Sequence, residues 1–296
     1  MGRRFYGNLG LGRRDLIKAL GAAGVGFVAT TACSSAPTNQ AGSQATAPAA
    51  SPVAATSPAA DTAALKRPDA ENMTPDQALK LLLEGNKRFT EGKTVHPRQN
   101  RARLAETGAD QFPFAAFLSC ADSRVPVEEI FDQGIGDCFV ARVAGNIATP
   151  EQVGSLEFGT LVLGSKILLA VGHERCGAII ASMGRITLPA DPGKIPTLVP
   201  YIKPAVDTVA AETKAKGIAE VGNDVELTVK QNAKNQANAL AKSTILASLV
   251  KDGKLKIIPA YYDLDTGKVE LLNEQKQAWV TSDHYLAMLQ GETSVA

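Results

Sequence analysis

The chain has 296 residues, 45% of them hydrophobic, which is enough to bury one good-sized core with a short appendage. Its 31 basic and 30 acidic residues leave a formal charge of +1, which excludes the strong polarity expected of a polyanion binder. The balance hides an asymmetry: in residues 1–33, Arg3, Arg4, Arg13, Arg14 and Lys18 outweigh Asp15 by four, and the remaining 26 bases and 29 acids make a mildly acidic body with no call for nucleic acid.

In chain order, Gly12-Arg13-Arg14-Asp15-Leu16-Ile17-Lys18 is a twin-arginine pattern, followed by a weakly apolar run rich in Gly and Ala over 19–32. That run is shorter than the ~20 apolar residues a membrane span needs. Charge followed by apolar character is the layout of a secretory signal, and paired arginines point to the route for folded cargo. Residues 1–33 are therefore expected to direct export to the periplasm or the outer side of a membrane. Thr30-Thr31-Ala32-Cys33 resembles a lipoprotein processing box, making Cys33 a candidate lipid anchor. Thr30 stands where Leu is usual, so cleavage elsewhere, giving a soluble product, stays open. Residues 34–65, rich in Ala, Pro, Ser and Thr, are expected to be a disordered linker.

A domain is expected over 66–296. Thr74-Pro75-Asp76 opens an amphipathic helix to about residue 90, with Ala78, Leu79, Leu82, Leu83 and Phe89 near helical spacing. Apolar runs at 114–118, 138–143 and 167–171 read as strands buried on both faces, hence a parallel sheet. Thr149-Pro150-Glu151 caps a helix to about 163, and another helix runs from Cys176 to about 185. After a Pro-rich loop come helices near 201–216 and 221–250. Strands at 255–262 and 268–272 then flank the turn Asp263-Leu264-Asp265-Thr266-Gly267, a hairpin signal. The fold class is α/β, with a mostly parallel central sheet flanked by helices and a C-terminal hairpin.

Four cysteines, Cys33, Cys120, Cys138 and Cys176, are too few for a disulfide scaffold, and the three in the body cannot all pair internally. Two of them sit at strand ends. Cys120-Ala121-Asp122-Ser123-Arg124 follows the first strand, and Gly172-His173-Glu174-Arg175-Cys176-Gly177-Ala178 follows the third. Ligands gather at the carboxyl ends of parallel strands. Two cysteines and a histidine there could supply a soft tetrahedral set for zinc with one position open. A redox pair is the other reading, since Cys120 and Cys176 could form a disulfide in an oxidising compartment. Folded export weakens it: zinc loaded in the cytoplasm would leave both thiolates ligated before they meet oxidant.

The pairing of Cys-x-Asp-x-Arg with His-x-x-Cys resembles the zinc site of β-class carbonic anhydrases. The likeness spans roughly residues 74–272, including Arg142-Val143-Ala144-Gly145-Asn146 and the closing hairpin. It implies one Zn2+ per chain on Cys120, His173 and Cys176. It implies that Asp122 either fills the fourth zinc position or pairs with Arg124, the two forming a catalytic dyad. The implied reaction is reversible hydration of CO2 to bicarbonate and a proton by zinc-bound hydroxide. The family's substrate-orienting glutamine corresponds to Gln111, and Phe139 is a candidate pocket wall. The resemblance also implies a homodimer or a multiple of one, with a cleft at the interface and the N-terminal helix packing on the partner subunit. Glu174 and Arg175 depart from the smaller residues usual there. Phe117 stands where a bicarbonate-gated subclass carries Trp, which favours the ungated one. His96 and His284 lie outside the motifs, and His284 is at most a candidate proton shuttle. Carbon disulfide and carbonyl sulfide share the linear electrophilic carbon, so a hydrolase for them, or a non-catalytic zinc-binding or sensory relative, remains the alternative.

Overall fold

The computed structural model of the chain describes residues 68–215, 224–273 and 275–291. The expected signal, its Cys33 and the linker over 34–65 lie outside the described residues. A six-stranded sheet forms the centre, in the order β2-β1-β3-β4-β5-β6. β1 (Ala115–Ser119), β2 (Cys138–Arg142), β3 (Ile167–His173) and β4 (Lys256–Tyr262) are parallel, and β5 (Val269–Asn273) and β6 (Ala278–Thr281) extend the sheet antiparallel. Every residue of β1 and β3 is buried, as continuous apolar runs covered on both faces require.

On one face, α1 (Pro75–Thr90) starts at Thr74, whose hydroxyl accepts from the Gln77 N–H while the Gln77 side chain accepts from the Thr74 N–H. Its Ala78, Leu79, Leu82 and Leu83 are fully buried with Phe117, Val125, Ile130, Phe131 and Leu169. This stripe is filled by the chain itself, so packing on a partner, as the resemblance implies, would use another face of the helix. Asn86 ties four segments to α1. Its Nδ2 donates to Ile130 O at 3.2 Å and Gly267 O at 2.9 Å, and its Oδ1 accepts from Val269 N–H at 3.2 Å and the Ser282 hydroxyl at 2.8 Å.

Several expected boundaries shift for identifiable reasons. The helix from Thr149 is α-helical only over Pro150–Glu157 and continues as a π turn over Phe158–Val162. The helix after Cys176 covers only Gly177–Ser182, because Gly184 at φ +75° lets the next N–H groups fold back onto Ala181 O and Ile180 O. The 221–250 helix is two, Asp224–Leu240 and Thr244–Lys251, separated where the Ser243 hydroxyl accepts from Leu246 N–H and donates to Glu157 Oε1. Counting in chain order, with Arg101–Thr107 as α2 and Val127–Ile130 as α3, these are α4 (Pro150–Glu157), α5 (Gly177–Ser182), α6 (Val199–Ala215), α7 (Asp224–Leu240) and α8 (Thr244–Lys251). The sequence reading did not include α2, α3, β6 or a last helix, α9 (Ser282–Leu289), which packs on α1. All four are short.

Asn86→Ala strips partners from two carbonyls, one N–H and one hydroxyl, all in a buried setting. At about 1–3 kcal/mol for each stranded group, incompletely additive, the variant is expected to lose about 3 kcal/mol or more in urea denaturation.

Candidate metal centre

The register of the sheet builds the site. Ser119 lies opposite Val171 in the β1–β3 pair, so the chain leaves β1 into Cys120 level with the Gly172-His173 end of β3. One atom each from Cys120, His173 and Cys176 lie within 4.8 Å of one another, all three residues buried. Ligands about 2.0–2.3 Å from a single ion would need to close only slightly from such a separation.

Each group is aimed by its own backbone. His173 Nδ1 is 2.9 Å from Glu174 O, and because a carbonyl only accepts, Nδ1 carries the proton. Nε2 is then a lone pair, buried and without a hydrogen-bond partner. Among the described residues, Cys120, Cys138 and Cys176 are free thiols. Cys120 Sγ accepts from Gly145 N–H at 3.3 Å. A hydrogen bond from the Cys176 thiol lowers the Cys120 pKa against the opposing effect of burial; the same pairing, with burial, raises that of Cys176. One thiolate forms readily and a second beside it does not. A dication would remove that restriction, so two sulfurs and a neutral imidazole fit zinc as a donor set.

Asp122 and Arg124 adjoin the cluster as a bidentate pair, Nε to Oδ1 at 2.9 Å and Nη2 to Oδ2 at 2.8 Å, with the Arg124 N–H also on Oδ1 at 3.0 Å. The Arg124 guanidinium holds the Asp122 carboxyl well below the usual carboxylate range. Of the two arrangements the resemblance implies, the paired one is present, with Oδ2 3.7 Å from His173 Nε2. Arg142, at the end of β2, donates to Cys120 O at 2.9 Å and Asp122 O at 2.5 Å, fixing this segment.

Other expected site residues are not brought to the cluster by one chain. Phe139 is paired with Ala116, four residues before Cys120 and so about 13 Å down the strand. Its half-buried ring packs on Phe158 and Gly159, against the core beside α4. Gln111 is exposed before the amino end of β1, away from the cluster. His284 is on α9 and His96 is near Glu129, neither in the cluster. The charges of Glu174 and Arg175 turn to the hairpin: Glu174 Oε2 accepts from Leu264 N–H at 3.1 Å, and Arg175 forks onto Asp265 at 2.6 and 2.9 Å.

The sequence reading missed a polar network behind the site. On α7, Asn232 and Gln236 interrupt the apolar stripe of Val229, Ala233, Ala237 and Leu240; Asn232 bonds to the Gly145-Asn146 turn, and Gln236 bonds to Asn232, Ala148 N–H and Tyr201 O. Two amides four residues apart on a buried helical face were the available signal.

A protein-family model described as "Carbonic anhydrase" matches residues 115–269. Carbonic anhydrase 2 of Mycobacterium tuberculosis is 34% identical over 203 residues, spanning 68% of this chain and 94% of that protein. The solved structure of the β-carbonic anhydrase CcaA aligns with a TM-score of 0.54 at 25% identity, over 67% of this chain and 89% of its own. Two tetrameric β-carbonic anhydrases from Sordaria macrospora share the fold, with a TM-score of 0.53 at 21% identity over 64% of this chain and 94% of theirs. The chain belongs to the carbonic anhydrase family, in its β class. It is a carbonic anhydrase by that membership, with carbon dioxide as the substrate.

Gly145 is required by its turn: at φ +77°, an added Cβ would lie 2.7 Å from Ile202 Cδ1. Gly145→Ala is expected to cost about 1–2 kcal/mol for the left-handed backbone alone, with the overlap added, measured by urea denaturation.

Proposed function

We propose that the chain is a zinc enzyme interconverting carbon dioxide and bicarbonate, with Cys120, His173 and Cys176 holding the ion. The observation that carries this reading is the buried, partnerless His173 Nε2 converging with two sulfurs. A zinc ion supplies a Lewis acid that makes water nucleophilic near neutral pH. The chain's own residues do the rest. Arg124 keeps Asp122 ionised and holds both its carboxylate oxygens. Asp122 Oδ2 retains a lone pair that accepts a hydrogen bond from the attacking water and orients it toward the substrate carbon.

The chain is further proposed to pair with a second copy, which would bring Gln111 and Phe139 toward a neighbour's cluster. The open edge of β2 supports this, since its outer hydrogen-bonding groups face no strand in the described residues. Residues 1–33 are proposed as a twin-arginine signal for export of the folded enzyme, with Cys33 lipidated or the signal cleaved elsewhere. That proposal rests on the sequence pattern alone.

Stopped-flow CO2 hydration with zinc measured in the same sample tests the catalytic reading. The wild type is expected to hold about one zinc per chain and hydrate CO2. Cys176→Ser is expected to lose the metal, and Asp122→Asn to keep it while losing about a hundred-fold or more in rate. Full zinc without hydration at any pH at or above neutrality would instead favour carbon disulfide, carbonyl sulfide or no substrate. For export, replacing Arg13 and Arg14 by Lys is expected to leave the enzyme in the cytoplasm on cell fractionation. Unchanged export would remove the twin-arginine assignment.

A further inference from the structure

The Val143–Asn146 turn has the metal centre on one side and α7 on the other. Gly145 directs its N–H to Cys120 Sγ at 3.3 Å, while its carbonyl accepts from Asn232 Nδ2 at 2.9 Å. The same amide nitrogen reaches Asn146 Oδ1 at 3.2 Å, and Asn232 Oδ1 accepts from Gln236 Nε2 at 3.0 Å. Gln236 is anchored in turn, donating to Tyr201 O at 3.0 Å and accepting from Ala148 N–H at 2.9 Å. Asn232 is fully buried, Asn146 is 1% exposed and Gln236 is 4% exposed.

A fully buried amide costs stability unless both its ends are bonded. A leucine at 232 would extend the apolar stripe of α7 but leave Gly145 O without this donor. The donor end of Asn232 is spent entirely on the turn that faces Cys120. Gly145 and Asn146 both sit at positive φ, +77° and +44°, a conformation that the flanking structure must hold in place. The N–H on Cys120 belongs to the main chain; the turn is closed by Asn146 N–H on Val143 O at 2.9 Å, and α7 holds its far side through Asn232.

We propose that Asn232 is a positioning residue for the metal centre. By holding the carbonyl side of the Gly145-Asn146 turn, it aims the Gly145 N–H at the Cys120 sulfur. An N–H on a ligating thiolate withdraws electron density from sulfur and fixes the direction of its lone pairs, so the bond sets both ligand strength and ligand placement. The inference rests on the assignment of Cys120 as a ligand.

The test uses the full chain loaded with Co2+, which reports sulfur ligation through a sulfur-to-cobalt charge-transfer band, together with release of zinc to a chromophoric chelator. Asn232→Leu is expected to load fully, to shift the band to lower energy, and to release zinc about ten- to a hundred-fold faster. Leu82→Ala, in the core on the opposite face of the sheet, is the control for simple loss of stability and is expected to move neither reading. Should Asn232→Leu fail to fold, Asn232→Asp keeps the side-chain shape and the bond from Gln236 but, ionised, cannot donate to Gly145 O; it is expected to show the same two changes. A band and release rate in the folded Asn232 variant matching those of Leu82→Ala would overturn the inference. Cys120→Ser with unchanged cobalt stoichiometry and band would instead overturn the ligand assignment beneath it.

Discussion

The alignment of β1 with β3 is the constraint from which the site follows. A slip of one residue would send the Cys120 side chain to the other face of the sheet and separate it from His173. The register is specified at both ends of the pair. At the start, Lys166 N–H donates to Phe114 O at 2.8 Å and the Ser165 hydroxyl to Pro113 O at 3.1 Å. Along the strands every side chain is buried, so their packing is set on both faces of the sheet. Gly172 admits α7 to the end of β3, where an added Cβ would lie 2.7 Å from Val229 Cγ1. The helix that carries Asn232 therefore approaches the site because a side chain is missing from the strand.

Hydrogen bonding differs between the buried ionisable groups at the two ends of the sheet. At the amino end of β2, Asp132 accepts from Arg88 at 2.6 Å and from the N–H groups of Val95 and His96, and Asp137 is paired with Arg98 and Arg103. Those carboxylates are occupied on every side and serve the structure. At the carboxyl ends the arrangement differs. His173 is tied through Nδ1 and left open at Nε2, and the two sulfurs favour only one thiolate between them. Leaving such groups incomplete costs about 1–3 kcal/mol each, a cost with no structural return here. Cys120, His173 and Cys176 could together hold a metal ion.

What could be read in advance was what depends on local pattern. Cys120, His173 and Cys176 follow strands whose uninterrupted apolar character already implied a parallel sheet, and strand ends are where such sheets expose chemistry. The start of α1 was legible because Thr74 and Pro75, a cap and a first-position proline, are adjacent in the chain. The division of α7 from α8 was not, since Ser243 breaks the helix partly by bonding Glu157, which is 86 residues away. β6 and α9 owe their form to β5 and α1 rather than to any strong periodicity of their own. Asn232 escaped notice for a related reason: its meaning lies wholly in a turn 87 residues earlier.

The roles that the family resemblance implies for Gln111 and Phe139 bear on assembly. Within one chain, the cluster lies at the carboxyl ends of the strands, whereas Gln111 precedes the amino end of β1 and Phe139 lies about 13 Å below Cys120. No side-chain rotation spans that separation. A two-fold axis through the open edge of β2 would pair it antiparallel with β2 of a second copy. The amino ends of one sheet would then lie beside the carboxyl ends of the other. That operation carries a residue at the wrong end of its own sheet toward the right end of its neighbour's, and does so twice. The mismatch inside the monomer is thus what a two-fold assembly would resolve, and a strictly monomeric enzyme would have to do without both residues.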